Sequence, residues 1–303
     1  MTRRYRIRHE TVYEYQGEVA HAHQLLHLAP RPCPYQDARA HRIDLDPAPS
    51  GCWQETDAFG NPVTRLEFDR PHRALEVIAE TEAEVRARPD VSADDSDQWE
   101  RVRDSFAYRP GALAPELMEA CRFRLRSPYA AVKKAFGEYA LECFEPGRPI
   151  LAASEALSGR IREQFTYAPG ETTVATPLLE VLELRRGVCQ DFSHLMIACL
   201  RSLGLAARYV SGYLKTTPSE GSLVGGDASH AWVGVFCPPL GWIDLDPTNG
   251  VRVGTGHVTI GWGRDFGDVS PLRGVIIGGG RHSVRVNVTA RELDASWTID
   301  RPA

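Results

Sequence analysis

The stretch RRGVCQDFSHL, from Arg185 to Leu195, places a cysteine directly after a glycine-containing turn and before a helical pattern. The apolar residues that follow recur at i, i+3, i+4, i+7, i+8 and i+11, which is the spacing of a buried helical stripe. They are Phe192, Leu195, Met196, Cys199, Leu200 and Leu203. Gly204 follows as a stop signal. The sequence therefore predicts a buried helix whose first turn contains Cys189.

Cys189 has two interpretations, as a packed small hydrophobe or as a nucleophile. A lone cysteine on the buried side of a helix is most often a packing residue, as we expect Cys199 to be. The first turn of a helix, however, has free N–H groups and the positive end of the dipole, and both stabilise a thiolate. Gly187 permits close approach of the backbone just before the helix. The choice between the two depends on whether a base lies within reach.

A candidate base begins the strand pattern HAWVGVF, which follows a glycine-rich loop that starts at Gly225. After the short turn CPPLG, a second strand begins at Trp242 with the sequence WIDLDPTNG. Two strands joined by so few residues are expected to pair antiparallel. His230 begins the first strand and Asp246 ends the second, so their side chains should be near neighbours. Asp244 shares the face of Asp246 and is a competing partner for the imidazole.

The segments GVCQDFSHLMIACLRSLGLAARYVSGYL, SHAWVGVF and GWIDLDPTNG resemble the bacterial transglutaminase-like family of the papain-like cysteine-enzyme superfamily. YRIRHETVYEY, LLHLAPRP and DAFGNPV are similar to the β domain that precedes the core in one bacterial branch, and GRDFGDVSPLRGV to a segment after its aspartate. The resemblance implies that Cys189 is the nucleophile, His230 the base and Asp246 the residue that orients it. Members of the family cross-link glutamine to amines, hydrolyse peptides, or have lost the triad and only bind.

The fold class predicted is α+β, with a β-rich N-terminal domain over residues 1–88 and a papain-like transglutaminase core over residues 151–303. In the core, the helix that carries Cys189 packs on an antiparallel sheet. Alternation over Tyr5–Tyr15 predicts a half-buried strand, and further strands are predicted over Arg42–Leu45, Val63–Phe68 and Leu75–Val85. Residues 89–150 are expected to form a partly helical linker region, with a helix over Pro128–Tyr139. Alternating valines near residue 286 predict a C-terminal edge strand of the core.

Composition excludes several other classes of protein. The net charge of −5 and the lack of a basic run predict no nucleic-acid partner. Seven irregularly spaced cysteines without a CxxC pair argue against a disulfide framework and structural zinc, and neither a metal nor a cofactor is predicted. No run of 18 apolar residues exists, so no membrane partner is expected. The first ten residues lack the apolar region of a secretory signal, and the cytoplasm is the expected compartment.

Other polar residues near these motifs are given lesser roles. His194 lies about 140° around the helix from Cys189, so it is interpreted as a packing or supporting residue. Asp191, in the first helical turn, is expected to bond nearby backbone. Ser193 and Ser229 lack a GxSxG elbow. Tyr167 could equally line the cleft or pack. Trp232 and Trp242 are assigned to the core and the cleft wall, and an ion pair between Arg264 and Asp265 is expected either near the site or at the surface.

These observations together predict a thiol-dependent enzyme that acts on amide bonds through a thioester. The expected substrate is a peptide or protein. Peptidase or amidase activity is the first choice because it needs no second substrate site, and protein-glutamine amine transfer, with an amine acceptor, is the alternative. A module that binds peptides without turnover remains a third possibility, and an exposed, acidic thiol would argue against it.

Overall fold

The computed structural model describes residues 1–107, 114–215 and 229–293, which form two large antiparallel β-sheets, a two-stranded parallel sheet and a helical region. The strands are β1 Thr2–Leu26, β2 Gln36–Asp46, β3 Gly51–Thr56, β4 Pro62–Phe68, β5 His72–Arg86, β6 Thr166–Tyr167, β7 Arg186–Gly187, β8 Ala207–Leu214, β9 His230–Phe236, β10 Trp242–Asp246, β11 Val251–Arg252, β12 His257–Gly263, β13 Leu272–Gly278 and β14 His282–Leu293. The helices are α1 Trp99–Ser105, α2 Pro115–Cys121, α3 Lys134–Leu141, α4 Ile150–Gln164, α5 Leu178–Leu184, α6 Cys189–Ser202 and α7 Phe266–Val269. The predicted α+β class is confirmed.

The N-terminal sheet has the strand order β2-β5-β1-β4-β3. The long strand β1 pairs with β13 and β14 along the edge that β4 and β5 leave open. The alternation predicted over Tyr5–Tyr15 is present, with Tyr5 and Ile7 fully buried. The C-terminal edge strand also exists, but it belongs to this sheet and not to the core, because β14 pairs with β1 along its length. A domain made of residues 151–303 therefore does not account for the last two strands.

The middle of the chain contains more helices than the sequence predicts, and the predicted one is shorter. The acidic segment after Arg88 contains a short 3₁₀ helix at Ala93–Asp95 and leads into α1. The helix predicted over Pro128–Tyr139 begins only at Lys134. Ser127 and Ala130 exchange backbone hydrogen bonds of 3.1 and 3.2 Å, which close a tight loop in place of a helical turn. A long-range contact also holds this loop, since the N–H of Tyr129 donates to Oδ2 of Asp265 at 3.0 Å.

The second sheet has the order β11-β10-β9-β8-β12, and α6 packs against β8 and β9. The predicted helix is confirmed, and Gly204 follows it in the left-handed region at φ 81°. The polar side of α6 is buried as well, including His194 and Arg201. The Arg201 guanidinium donates to four oxygens at 2.6 to 2.9 Å, which offsets the cost of burying its charge. The helix is thus the centre of the core rather than a surface helix with one apolar face.

The two sheets share a buried interface that braces the second sheet. Tyr5 and Ile7 of β1 pack in one cluster with Tyr213 of β8 and with Val258 of β12. The side-chain amide of Gln36 both donates to the Thr259 carbonyl and accepts its N–H, at 2.7 Å each. These contacts fix β8 and β12 against the N-terminal sheet. Within the described ranges, no helix is both long and apolar enough to cross a membrane.

Candidate active site

The start of α6 is fixed by side-chain contacts around Asp191. Its Oδ2 accepts the backbone N–H of Val188 at 2.9 Å and the hydroxyl of Thr172 at 2.6 Å. A Cβ at position 187 would lie 2.7 Å from the same oxygen, so Gly187 makes room for this cap. The expectation that Asp191 bonds nearby backbone is confirmed. Cys189 is therefore held as the first residue of the helix, where its N–H has no intrahelical acceptor.

The thiol of Cys189 lies beside the start of β9. Its Sγ is 4.0 Å from the carbonyl oxygen of Ser229, the residue immediately before His230. Cys189 is 8% exposed, so the sulfur is recessed and desolvated but not sealed from solvent. Burial raises the pKa of the Tyr209 phenol well above its usual value, and the charge of Cys189 adds to this shift. The nucleophile candidate thus lies beside the strand that His230 begins.

His230 and Asp246 are joined as the hairpin predicts. In the register, Trp242 pairs with Phe236 and Leu245 with Val233, which places Asp246 diagonally across from His230. Nε2 of His230 lies 2.9 Å from Oδ2 of Asp246, and both side chains are fully buried. Nδ1 of His230 is buried and has no hydrogen-bond partner in the described ranges. This second nitrogen remains free to interact with the thiol.

Asp244 does not compete for the histidine. Its Oδ2 lies 2.9 Å from the Arg88 guanidinium, and its Oδ1 is 3.7 Å from the Arg208 guanidinium. Gly234, opposite it on β9, leaves room for these groups, since a Cβ there would lie 2.7 Å from Arg208 Nε and 2.8 Å from Asp244 Oδ1. The two aspartates share a face of β10 but belong to different polar clusters.

The electrostatics of the pair favour an imidazolium next to a carboxylate. Burial lowers the pKa of His230, but the charges of Cys189 and Asp246 outweigh it and raise that pKa from 6.5 to about 10. Burial raises the pKa of Asp246, but the charge and hydrogen bond of His230 outweigh it, so the pKa of this carboxyl lies below its usual range. A thiolate on Cys189 and an imidazolium on His230 therefore stabilise each other.

Two further residues at the site are not singled out by the sequence pattern. Oδ2 of Asp246 also lies 2.7 Å from Nδ2 of Asn249 and 3.2 Å from Nε2 of His257. Its Oδ1 accepts the backbone N–H groups of Thr248 and Asn249 at 3.0 and 3.3 Å. The sequence carries one signal for His257. It begins a strand pattern, GHVTIGWG, in the same way that His230 begins β9. The partner of that histidine depends on long-range strand pairing, which local sequence does not encode.

The structure keeps His194 and Ser193 away from this polar cluster. Nε2 of His194 accepts the N–H of Phe266 at 3.1 Å, and its ring packs 4.9 Å from that of Tyr209. Burial, together with the charge of Arg201, lowers the pKa of His194 to about 3, so this ring is neutral at physiological pH. Ser193 is fully buried within α6. The supporting role predicted for His194 agrees with these contacts.

The remaining predicted residues have packing or capping contacts. Arg264 pairs with Asp268 at 2.8 and 2.9 Å, and not with Asp265 as expected. Asp265 instead accepts the N–H of Gly267 and so caps α7. Tyr167 is partly buried against the main core.

The two tryptophans behave differently. Trp232 is fully buried, while Trp242 is partly exposed and packs between aromatic neighbours.

The glycine-rich loop at residues 225–227 lies outside the described residues. Among residues 1–107, 114–215 and 229–293, no group of three or more His, Cys, Asp or Glu side chains has the geometry of a metal site.

The arrangement has the parts needed for nucleophilic catalysis. A recessed thiol at a helix start lies beside a buried imidazole, and a carboxylate fixes the far nitrogen of that ring. Such a set can exchange a proton between sulfur and nitrogen without a bound metal. The roles of Cys189, His230 and Asp246 in catalysis remain predictions that this geometry supports.

Comparison with known proteins places the chain in a family. Residues 5–84 match the model of the bacterial transglutaminase-like N-terminal region, and residues 138–247 match that of the transglutaminase-like superfamily. An uncharacterized protein of Mycobacterium tuberculosis is 40% identical over 306 residues, which cover 97% of this chain and 95% of that protein. A protein-glutamine gamma-glutamyltransferase of Pseudomonas aeruginosa is 30% identical over 111 residues, covering 33% of this chain but 17% of that enzyme.

A solved structure shares the whole fold. The crystal structure of a protein from Cytophaga hutchinsonii, described as a proposed cysteine protease, superimposes with a TM-score of 0.75. The alignment covers 98% of this chain and 93% of that one at 20% identity, so it supports the fold alone. With both domain models matched in order and a relative aligned over nearly its full length, the chain belongs to the bacterial transglutaminase-like family.

Proposed function

We propose that the chain is a thiol-dependent enzyme that cleaves or transfers amide groups of peptides or proteins, with Cys189 as nucleophile. The observation that carries the proposal is the convergence of three buried groups from different elements. The thiol is at the start of α6, the imidazole is at the start of β9, and the carboxylate that holds it at 2.9 Å ends β10.

The first chemical step is attack of the Cys189 thiolate on the carbonyl carbon of an amide. The new C–S bond forms as the C=O π bond opens, and the negative charge moves to the carbonyl oxygen. The N–H of Cys189, which has no intrahelical acceptor, is available to donate to this oxyanion. Because the first helical turn also carries the positive end of the dipole, it stabilises the same charge.

The second step expels the amine and leaves an acyl group on sulfur. His230, held as an imidazolium by Asp246, gives its Nδ1 proton to the leaving nitrogen as the C–N bond breaks. The product is an amine or ammonia and a thioester on Cys189. Water or a second amine then attacks the thioester, His230 takes up a proton from it, and the thiolate–imidazolium pair is restored with its charge unchanged.

Water is the first choice for the acceptor of the acyl group, because a peptidase or amidase needs no second substrate site. Transfer to an amine is the second candidate, since a stretch of 111 residues is 30% identical to a protein-glutamine gamma-glutamyltransferase. A module that only holds peptides would not need the thiol. Peptide binding without any covalent turnover would favour that third candidate.

The test is a product analysis with the whole protein. Glutamine-containing peptides are incubated with and without a fluorescent primary amine, and the products are identified by mass spectrometry. We expect either a shortened peptide or free acid, or an amine adduct, and a thioester mass on the peptide that contains Cys189. The variant Cys189→Ala is the matched control. Turnover that persists in Cys189→Ala, or no covalent product with any peptide, would contradict the proposal.

We also propose the cytoplasm as the compartment. The support is that all seven cysteines, each in the described part of the chain, are unpaired, as is usual for proteins of a reducing compartment. Cell fractionation with immunodetection tests this placement, and recovery of the protein outside the cytoplasm would contradict it.

A further inference from the structure

The carboxylate of Asp246 is shared between two imidazoles. Nε2 of His230 approaches Oδ2 at 2.9 Å, and Nε2 of His257 approaches the same oxygen at 3.2 Å. The rings are 6.4 Å apart, centre to centre, and both are buried. The triad accounts for only the first of these contacts, which leaves a buried and titratable side chain at the centre of the site without a role.

The hydrogen bonds of His257 define its tautomer. Nδ1 accepts the backbone N–H of Gly254 at 3.4 Å, so the proton of the neutral ring is on Nε2. Nε2 therefore donates to Asp246. Burial lowers the pKa of His257 and outweighs the attraction of Asp246, which keeps the ring neutral. His257 is thus a neutral donor, in contrast to the imidazolium form of His230.

His257 lies on a strand that carries none of the three triad residues. It begins β12, which pairs with β8 and not with β10, and its ring packs at 83° against Trp232 with centres 5.3 Å apart. The charged or titratable groups whose fields reach it are Asp246 on β10, His230 on β9 and Arg88, which follows β5. The donor thus comes from a strand that the N-terminal sheet braces.

We propose that His257 is a positioning residue of the active site, which holds Asp246 as a carboxylate by donating to the oxygen that His230 uses. The inference rests on the proposed function. A buried carboxylate needs donors to remain charged, because it has lost its water. Each neutral donor favours the carboxylate–imidazolium pair over the neutral acid–imidazole pair. Removing the donor shifts the proton toward Asp246, and the thiolate of Cys189 then loses its counter-ion.

The test uses the rate at which iodoacetamide alkylates Cys189 at pH 6, which needs no substrate and is followed by peptide mapping. We expect His257→Leu to lower this rate about tenfold, the loss expected for one hydrogen bond to a charged group. His257→Gln places an amide N–H near the same oxygen and should restore most of the rate. A wild-type rate in folded His257→Leu, or no recovery in folded His257→Gln, would overturn the proposal.

Two control variants distinguish a specific role of His257 from a general loss of packing and from a failure of the proposed function. His9 is a buried histidine bonded to Tyr213 and Thr11 outside the site, and His9→Leu should leave the alkylation rate unchanged. If His230→Ala fails to slow alkylation, the proposed function itself is wrong. If His230→Ala slows it and His257→Leu does not, only the role of His257 is wrong. ¹⁵N NMR of the wild-type imidazoles provides a measurement that does not depend on folded variants, and a proton on Nδ1 of His257 at neutral pH would contradict the assignment.

Discussion

Two cysteines of one helix show how position decides chemistry. Cys189 begins α6 beside the carbonyl of Ser229, the residue that precedes His230. Cys199, ten residues later in the same helix, is completely buried in the main hydrophobic core. Burial raises the pKa of the Cys199 thiol above its usual range, which keeps it protonated. The same side chain is thus a packing residue at one end of the helix and a candidate nucleophile at the other.

The difference lies in the partners that each end of the helix meets. The start of α6 meets the ends of strands, where polar side chains and free N–H groups collect. The later turns meet the faces of β8, β9 and the neighbouring helices, where apolar side chains collect. A cysteine in the later turns has no base to take its proton. The comparison predicts that activity and stability can be separated by substitutions along this one helix.

The largest difference in turnover is expected between substitutions of the two cysteines. Cys189→Ala should abolish turnover and thioester formation while the protein stays folded, because only the nucleophile is lost. Cys199→Ala should keep turnover but lower the free energy of unfolding by about 1–2 kcal/mol, since it leaves a small cavity in the core. Urea unfolding measures the stability of both variants, and product analysis measures their turnover. Loss of turnover in folded Cys199→Ala would contradict the assignment of Cys199 as a packing residue.

The next largest loss of turnover is expected from substitution of His230, compared with His194 within α6. His230→Ala should reduce thioester formation about 10⁴-fold, because the thiolate loses its counter-ion and the leaving group its acid. His194→Gln is the matched control, since His194 is buried in α6 but bonds only the N–H of Phe266 among the described residues. It should leave turnover largely intact and lower stability. Intact-mass measurement of the thioester distinguishes the two, and equal losses would mean that the base is wrongly assigned.

A smaller effect separates the two aspartates of β10. Asp246→Asn should lower turnover about 10³-fold while stability changes less, because the asparagine no longer holds the imidazolium. Asp244→Asn should instead destabilise the protein by about 3 kcal/mol, since it leaves Arg88 and Arg208 without their carboxylate. Thermal unfolding and initial rates measure both. The reverse ranking in folded variants would contradict the hydrogen-bond pairing seen at Asp246.

The smallest effect is expected from chelation. Turnover should be unchanged by EDTA, because the thiol and the imidazole already supply nucleophile and acid. Activity is measured before and after dialysis against the chelator, with a known zinc peptidase as the positive control. Loss of activity that one added metal restores would contradict the mechanism.

Much of the site follows from local sequence. The apolar stripe from Phe192 and the stop at Gly204 locate α6, and the hairpin register follows from the short turn before Trp242. The position of Asp246 at the strand end favours it over Asp244, but the arginines that hold Asp244 come from distant segments and have no local signal. The local sequence pattern does not show which distant segments pair with each other.

The same limit explains the errors in the fold. Local sequence does not indicate β3, because its residues are mostly exposed and show no alternation of burial. The strands after Leu272 follow the core in the chain and are therefore expected within it, whereas their partner is β1 at the other terminus. His257 has no local signal that joins it to Asp246, since the contact crosses from β12 to β10.

The central claim is that Cys189 is a thiolate held by His230, and competitive alkylation tests it most directly. Native protein is treated with a limiting amount of iodoacetamide at pH 6 and at pH 8, and each cysteine is quantified by peptide mapping. The account predicts that Cys189 is labelled first at pH 6, ahead of the more exposed Cys52, and that its rate changes little by pH 8 because the imidazolium persists. Labelling of Cys199 or Cys237 as fast as Cys189, or a Cys189 rate that rises about tenfold per pH unit like a free thiol, would contradict it.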